Sequence, residues 1–218
     1  MAPLLDRAFW SLPKSKVLPT IAEAAPRLTG DTYVVELDVP QSSIIFGQPG
    51  LRRDDADWYT GLVMNYILGG GGFSSRLYSE VREKRGLAYS VGTGLHPMRL
   101  SALISGGAGT KNANVAESLK IIRTEWDRMR TGGVTPDELS RAKSYLTGSF
   151  PLRLSSTDRI ARMLVSIQYH NLGIDYIDKR ANYINVVSAE NIAKLARRLL
   201  DLGKLTFVVV GRPAAVIP

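Results

Sequence analysis

The order of strand-like and helical segments restricts the fold of this chain more than any other feature of its sequence. Runs that are rich in Val and Ile, or that alternate between polar and apolar residues, predict five strands. They are predicted at Tyr33–Val39, Ser43–Gly47, Ala88–Leu95, Leu100–Gly107 and Leu205–Val210. Two helices separate the second strand from the third, and several separate the fourth from the fifth. This order excludes a doubly wound parallel sheet. It predicts an α+β fold, an antiparallel or mixed β-sheet covered by helices on one face.

The first two of these helices are predicted from apolar periodicity and capping residues. In the segment DWYTGLVMNYIL, apolar residues recur every four positions, which predicts a largely buried helix with Asp54 or Asp55 as its cap. In SRLYSEVREKR, either Ser74 or Ser75 is predicted to cap a shorter helix, which ends at Gly86.

The later helices carry stronger start signals. Thr135 is predicted to be an N-cap, with Pro136 at the first helical position and Glu138 completing a capping box. Ser188 is predicted to cap the final helix. These helices are predicted over residues 112–131, 136 onwards, 156–171, 174–185 and 189–200.

The composition is that of one globular domain with an extra segment at its N-terminus. The chain has 218 residues, of which 44% are hydrophobic and 22% charged, so a largely disordered chain is excluded. Pro13, Pro19 and Pro26 lie in Ala-rich sequence, which is typical of an extended linker. We therefore predict that residues 1–30 are the tail of a preceding domain plus a linker, and that the compact domain is 31–218.

The chain has no cysteine and two histidines, His96 and His170. A disulfide framework, a Cys zinc site, a thiol nucleophile and an iron–sulfur cluster are therefore excluded. Neither histidine has a carboxylate or a second histidine at a ligand spacing, so we predict no metal site in this chain.

The length of the apolar runs and the charge distribution bear on two further classes, membrane proteins and nucleic-acid-binding proteins. No apolar run approaches the ~20 residues that span a bilayer, and the N-terminus lacks the features of a signal peptide. The net charge is +8, but the basic residues are interspersed with Asp and Glu and no nucleic-acid-binding motif is present. We predict a solvated basic surface, with no nucleic-acid partner and no membrane span.

Four consecutive glycines, Gly69, Gly70, Gly71 and Gly72, precede Phe73. They do not form a phosphate-binding P-loop, because no lysine follows and a helix precedes them. Two interpretations stay open. The glycines either make a strained connection between two helices, or expose backbone N–H groups to a bound peptide.

Arg82 and Tyr89 flank the tight turn at Gly86, which can present both side chains on one side. A guanidinium binds carbonyl or carboxylate oxygens, and a tyrosine hydroxyl can donate to a developing oxyanion. The alternative is a surface arginine and a tyrosine in the core of a strand. The chemistry of the two residues alone favours that alternative.

The segment LGGGGFSSRLYSEVREKRGLAYSV, residues 68–91, resembles a signature of the M16 metallopeptidases. This family includes pitrilysin, insulin-degrading enzyme and the mitochondrial processing peptidase. VPQSSIIFGQPGLRRDDADWY, GVTPDELSRAKSYLTGSF and LTFVVVG extend the resemblance over about residues 31–211. The resemblance implies the LuxS/MPP-like metallohydrolase fold. Neither histidine starts the family's H-x-x-E-H zinc motif, so this chain resembles the C-terminal, non-zinc-binding domain of a bacterial-type member.

The resemblance also implies roles for particular residues. Arg82 and Tyr89 match the family's Arg and Tyr with six residues between them, which act in trans on substrate at the zinc site of a partner domain. Gly69–Gly72 and Phe73 correspond to a peptide-binding loop that is longer in the processing peptidase. The resemblance implies that this chain holds no cofactor and that the partner domain holds zinc.

The implied partners are an H-x-x-E-H zinc-bearing M16 domain or subunit and a peptide substrate, and a homo-oligomer stays open. The function implied is that of the C-terminal half of a zinc metallopeptidase, inactive as an isolated domain. The alternative is a catalytically silent structural or assembly subunit. The cytoplasm and the periplasm of a bacterium both stay open as compartments.

Overall fold

Five strands form one mixed sheet in the computed structural model, which describes residues 2–12 and 20–216. Their spatial order is β1-β5-β2-β4-β3, with β1 parallel to β5 and the other neighbours antiparallel. The strands are β1 Thr32–Glu36, β2 Gln41–Pro49, β3 Ala88–Pro97, β4 Ala102–Lys111 and β5 Thr206–Gly211. The predicted α+β class with a mixed sheet is confirmed.

The strand ends differ from the predicted ones where a partner strand decides them. β1 ends at Glu36 and not at Val39, because Glu36 pairs with Gly211, the last residue of β5. β2 extends through Pro49 and β4 through Lys111, because the pairing of these two strands runs from Gln41 opposite Lys111 to Pro49 opposite Leu103.

Eight helices lie in the described part of the chain, with short 3₁₀ turns at Gly72–Ser74, Asn112–Asn114 and Phe150–Leu154. α2 continues into a π-helical turn, Tyr66–Gly70, and α3 into another, Ser79–Glu83. The helices are α1 Ala2–Phe9, α2 Trp58–Asn65, α3 Arg76–Tyr78, α4 Val115–Gly132, α5 Pro136–Gly148, α6 Thr157–Tyr169, α7 Tyr176–Asn185 and α8 Ala189–Leu199.

Of the four predicted helix starts, those of α3, α5 and α8 are confirmed, and the cap of α2 is wrong. Ser75 is the N-cap residue of α3, although its side chain makes no capping hydrogen bond. The Thr135 and Glu138 pair forms a reciprocal capping box at α5, and Ser188 caps α8. Neither Asp54 nor Asp55 caps α2. The residue before α2 is Asp57, whose backbone N–H donates to Asp55 Oδ1 at 2.8 Å, so the Asp55 side chain closes a turn ahead of the helix.

The helices pack on one face of the sheet. Phe46 of β2 points into this layer and contacts Trp126 of α4 edge-on, with ring centroids 6.0 Å apart. Gln48, also on β2 and fully buried, accepts a hydrogen bond from Trp126 Nε1 at 2.8 Å. On the opposite face Ile45 is 59% exposed and Tyr33 is 49% exposed, and no described helix covers them. One face of the sheet therefore builds the core, and the other stays open.

The N-terminal segment is described only in part. α1 buries none of its residues, and residues 13–19, which include Pro13 and Pro19 of the predicted linker, lie outside the described residues. Residues 20–29 have no helix or strand, although the backbone N–H of Thr29 donates to Thr206 Oγ1 at 3.0 Å. A domain boundary at residue 31 stays a prediction.

Candidate functional site

A β-bulge places Arg82 and Tyr89 side by side. Arg82 lies in the π-helical turn after α3, and the chain reverses at Gly86, which has a φ of +61°. In β3 the pairing with β4 shifts between Ala88 and Ser90, so Tyr89 is an extra residue of the strand. A bulge can redirect a side chain, and here Tyr89 is 80% exposed. The Arg82 guanidinium carbon lies 4.9 Å from the Tyr89 ring centroid.

Two further aromatic rings complete this cluster. The Arg82 guanidinium carbon is 4.9 Å from the Tyr78 ring centroid and 5.9 Å from that of Phe73. The rings of Phe73 and Tyr78 contact each other edge-on, with centroids 4.7 Å apart. We call these four residues, Phe73, Tyr78, Arg82 and Tyr89, the Arg82 cage. A guanidinium held by aromatic faces keeps its N–H donors for a further partner.

The charge of Arg82 is not balanced within the described chain. The adjacent Lys84 and Arg85 both pair with Glu80, but no described carboxylate lies within 4 Å of Arg82. The alternative in which Tyr89 packs in the core is wrong, because its ring faces solvent. The cage therefore presents a cation and a phenol hydroxyl together at the surface.

The Arg82 cage brings together both groups of residues that the sequence analysis selected. Phe73, at the end of the glycine loop, contacts the Arg82 side of the cage directly. Tyr78 was missed by sequence analysis. Its spacing from Arg82, four residues along a helical segment, is the signal that could have found it, because such residues lie on one helix face.

Close packing within the chain accounts for three of the four glycines, Gly69, Gly70 and Gly71. A Cβ on Gly69 would lie 2.5 Å from Thr93 Oγ1, and one on Gly70 would lie 2.5 Å from Asn65 Nδ2. Gly72 differs, because its φ is +55° and a Cβ there would have no atom within 4 Å. Gly69 is buried, whereas Gly72 and Phe73 are exposed. The loop thus packs on β3 with its first glycines and faces solvent with its last residues.

A buried ion pair fixes the helix that carries the cage. Arg76, the first residue of α3, donates from Nε and Nη2 to the two carboxylate oxygens of Glu138 at 2.6 and 2.7 Å. Its Nη2 also donates to the carbonyl of Gly133 at 2.8 Å. Burial alone raises the pKa of Glu138, but hydrogen bonds from Arg76 and the Thr135 backbone outweigh it and lower this pKa to about 2. The glycine loop and α3 are thereby held to the start of α5.

The described residues offer no metal site. They contain no group of three or more His, Cys, Asp or Glu side chains that could hold a metal ion. His96 is on β3, and His170 follows α6. Burial lowers the pKa of His170, and the positive charge of Arg53 lowers it further. A catalytic zinc needs three protein ligands, so these residues do not fit one.

No helix in the described part of the chain combines the length and the apolar character needed to cross a membrane.

The sequence and the fold of this chain both resemble those of known proteins. A family described as the peptidase M16 inactive domain matches residues 1–146. This chain belongs to the M16 peptidase family. A solved structure of a peptidase M16 inactive domain from Pseudomonas fluorescens resembles this chain, with a TM-score of 0.85 and 30% sequence identity. The resemblance covers 99% of this chain and 52% of that one.

Curated relatives are named as zinc proteases or as a non-peptidase homologue. An uncharacterised zinc protease of Streptomyces coelicolor is 41% identical over 64% of this chain and 30% of its own length. A non-peptidase homologue of Helicobacter pylori is 29% identical over 81% of this chain and 41% of its own length. The chain thus spans less than half the length of these two relatives. The names of several relatives include zinc, whereas the family that matches this chain is described as the inactive domain of M16 peptidases.

Proposed function

We propose that this M16 domain is the metal-free half of a peptidase, which holds peptide substrate for hydrolysis at the zinc site of an H-x-x-E-H partner domain. The observation that carries the proposal is the placement of Arg82. Its guanidinium lies in an aromatic cage beside the exposed Tyr89 hydroxyl, with no described carboxylate to neutralise it. Zinc and the general base would come from the partner.

Arg82 and Tyr89 suit two different tasks in peptide hydrolysis. The fork of the Arg82 guanidinium can bind a backbone carbonyl of an extended peptide and orient it. The Tyr89 hydroxyl can donate to the oxygen that becomes negative as a carbonyl is attacked. One such donor is typically worth ~2.7–4 kcal/mol of transition-state stabilisation.

The glycine loop contributes to substrate binding in this proposal through its exposed end. Gly69, Gly70 and Gly71 form the packed part of the loop, and a Cβ on any of them would overlap neighbouring atoms of the chain. Gly72 offers open backbone, and the ring of Phe73 is 74% exposed next to Arg82. Phe73 therefore supplies an apolar contact for a peptide side chain beside the site where Arg82 binds backbone.

The decisive experiment is Tyr89→Phe in this domain reconstituted with its zinc-bearing partner. Loss of the hydroxyl removes a donor that acts on the transition state, so kcat should fall by about 100-fold while KM changes little. The readout is the cleavage rate of a fluorogenic peptide at a range of concentrations.

Tyr145→Phe is the matched control, because Tyr145 is also exposed, at 57%, but lies on α5 outside the cage. Its kcat should equal that of the unmodified protein. Equal kcat values for Tyr89→Phe and the control would remove Tyr89 from the mechanism.

The same proposal makes a prediction for the domain by itself. The isolated chain should bind no zinc at one equivalent and cleave no peptide, because its described residues hold no ligand cluster. Zinc retained after gel filtration, or cleavage that a chelator abolishes, would contradict it.

A second candidate function is a catalytically silent structural or assembly subunit. The name of the Helicobacter pylori relative, a non-peptidase homologue, favours it. The exposed cage of Arg82 and Tyr89 favours the peptidase half instead, because a purely structural role has no use for an unpaired arginine beside a phenol. An H-x-x-E-H domain encoded upstream or in the adjoining gene would decide for the peptidase. Sedimentation analysis would show whether the chain forms a homo-oligomer.

A further inference from the structure

A second charged site lies on the helical side of the molecule, away from the Arg82 cage. It is a cleft of about 460 Å³ that opens between α6 and the helices α2 and α7. We call it the arginine cleft, after the five arginines in its lining. These are Arg53, Arg153, Arg159, Arg162 and Arg180.

The positive charge of the arginine cleft has little compensation. Only Arg162 has a described carboxylate within 4 Å, and its pair with Asp158 is largely exposed. The lining itself contains no acidic residue. Four of the five guanidinium groups therefore face the cleft, or its rim, without a counter-ion among the described residues.

Arg180 shows most clearly that this charge needs a partner. Its side chain is 5% exposed, and Nη1 donates to the carbonyl of Leu146 at 2.9 Å. Its guanidinium carbon lies 4.2 Å from the ring centroid of Phe150. Arginine stays protonated in proteins, and a buried charge without an opposite charge is strongly unfavourable. An anion in the cleft would remove that penalty.

Aromatic rings and an incompletely packed helix give the cleft an apolar side. The guanidinium of Arg53 lies 4.9 Å from the ring centroid of Trp58 and 5.6 Å from that of Tyr176, and both rings line the cleft. α6 is amphipathic, yet it buries none of its residues, and Met163 and Ile167 on its cleft side are only half-buried. A ligand with an apolar body would fill the space beneath this helix.

We propose that the arginine cleft binds a small organic phosphate. The phosphate group lies between the guanidinium groups of Arg180 and Arg153, which both line the cleft, and the apolar or ring-shaped body packs against the aromatic lining and α6. A phosphate carries about two negative charges and three acceptor oxygens, so it can engage several guanidinium groups, whereas a carboxylate engages fewer. The cleft shares no residue with the Arg82 cage, so this site is independent of the proposed peptidase function.

Calorimetric titration of the full chain with phenyl phosphate tests the proposal. We expect saturable binding at one equivalent, about tenfold tighter than benzoate, which has the same ring with a carboxylate, and about tenfold tighter than inorganic phosphate, which lacks the ring. Arg180→Gln and Arg153→Gln should each weaken binding by about tenfold, because each removes a charge-assisted hydrogen bond.

Arg141→Gln is the matched control, since it removes an equal charge from α5, where Arg141 pairs with the exposed Asp137. It should leave the affinity within about twofold. Arg153 is exposed, so Arg153→Gln carries the test even if Arg180→Gln fails to fold. Equal losses in the control would mean a non-specific effect of net charge and would overturn the proposal. Absence of saturable binding, tighter binding of benzoate, or tighter binding of a Glu-rich peptide would do so too.

Discussion

Glu138→Gln tests whether the buried ion pair at the base of the glycine loop stabilises the fold. Glu138 has a pKa of about 2 in place of 4.5, which sets an upper limit of about 3 kcal/mol on its contribution to stability at neutral pH, since each tenfold change in proton affinity is worth about 1.4 kcal/mol. Its side chain is 18% exposed, so screening by solvent reduces this contribution. Glutamine keeps the shape and removes the charge. Arg76, 8% exposed and with Nη1 already lacking an acceptor, then stays buried without an anion.

The expected loss in the free energy of unfolding at pH 7 is therefore about 2–3 kcal/mol, at or just below the range for breaking a fully buried pair. Because the folded state lowers the pKa of Glu138, its contribution is complete above pH 4.5 and is lost as the pH falls towards 2. The difference between the unmodified chain and the variant should shrink over that interval.

The assay is urea-induced unfolding followed by circular dichroism at several pH values. Asp127→Asn is the control, because it makes the same carboxylate-to-amide change in a pair with Arg130 that is 46% exposed on both sides. It should cost less than about 1 kcal/mol. A loss below 1 kcal/mol for Glu138→Gln, or a loss that does not change between pH 7 and pH 3, would refute the proposed role of the pair.

Two more predictions concern the loop and His170. Gly69→Ala should destabilise the chain by about 1–3 kcal/mol in thermal unfolding, because its Cβ would lie 2.5 Å from Thr93 Oγ1. Gly109→Ala, where a Cβ meets nothing within 4 Å, should cost less, and equal costs would contradict the packing argument. Arg53→Gln should raise the pKa of His170, measured by NMR titration, because a like charge is removed. Since the folded state lowers this pKa, the His170 contribution to stability should decline as the pH falls below 6.5, and an unchanged pKa in the variant would refute the coupling.

Local signals in the sequence predicted what local interactions decide. The caps at Thr135 and Ser188 are made by residues three positions apart, so the sequence pattern alone was sufficient to predict them. Asp55 shows the limit of such signals. An aspartate before a helix can cap the helix or close a turn. Asp55 closes a turn, because its side chain accepts from the backbone N–H of Asp57, which precedes the helix.

The site could be predicted only in part, because its geometry depends on strand register. The spacing of Arg82 and Tyr89 selected both residues, but an outward-facing tyrosine at the second position of a strand follows from the bulge between β3 and β4. That bulge is set by pairing with residues about twenty positions away. The arginine cleft could not be predicted from the sequence, because it also depends on contacts between distant segments. Its arginines come from segments as far apart as Arg53 and Arg180, and the folded helices bring them together.

The position of β5 has a consequence for how the chain folds. Among the described strands, β1 pairs only with β5, and β5 also separates β1 from β2, its neighbour in sequence. Thr29 and Thr206, 177 residues apart, are joined in the same corner. During synthesis β1 must therefore wait, unpaired, until almost the whole domain has left the ribosome. Insertion of β5 between two strands that are already present is then the step that completes the sheet, and its long loop closure is expected to make it slow.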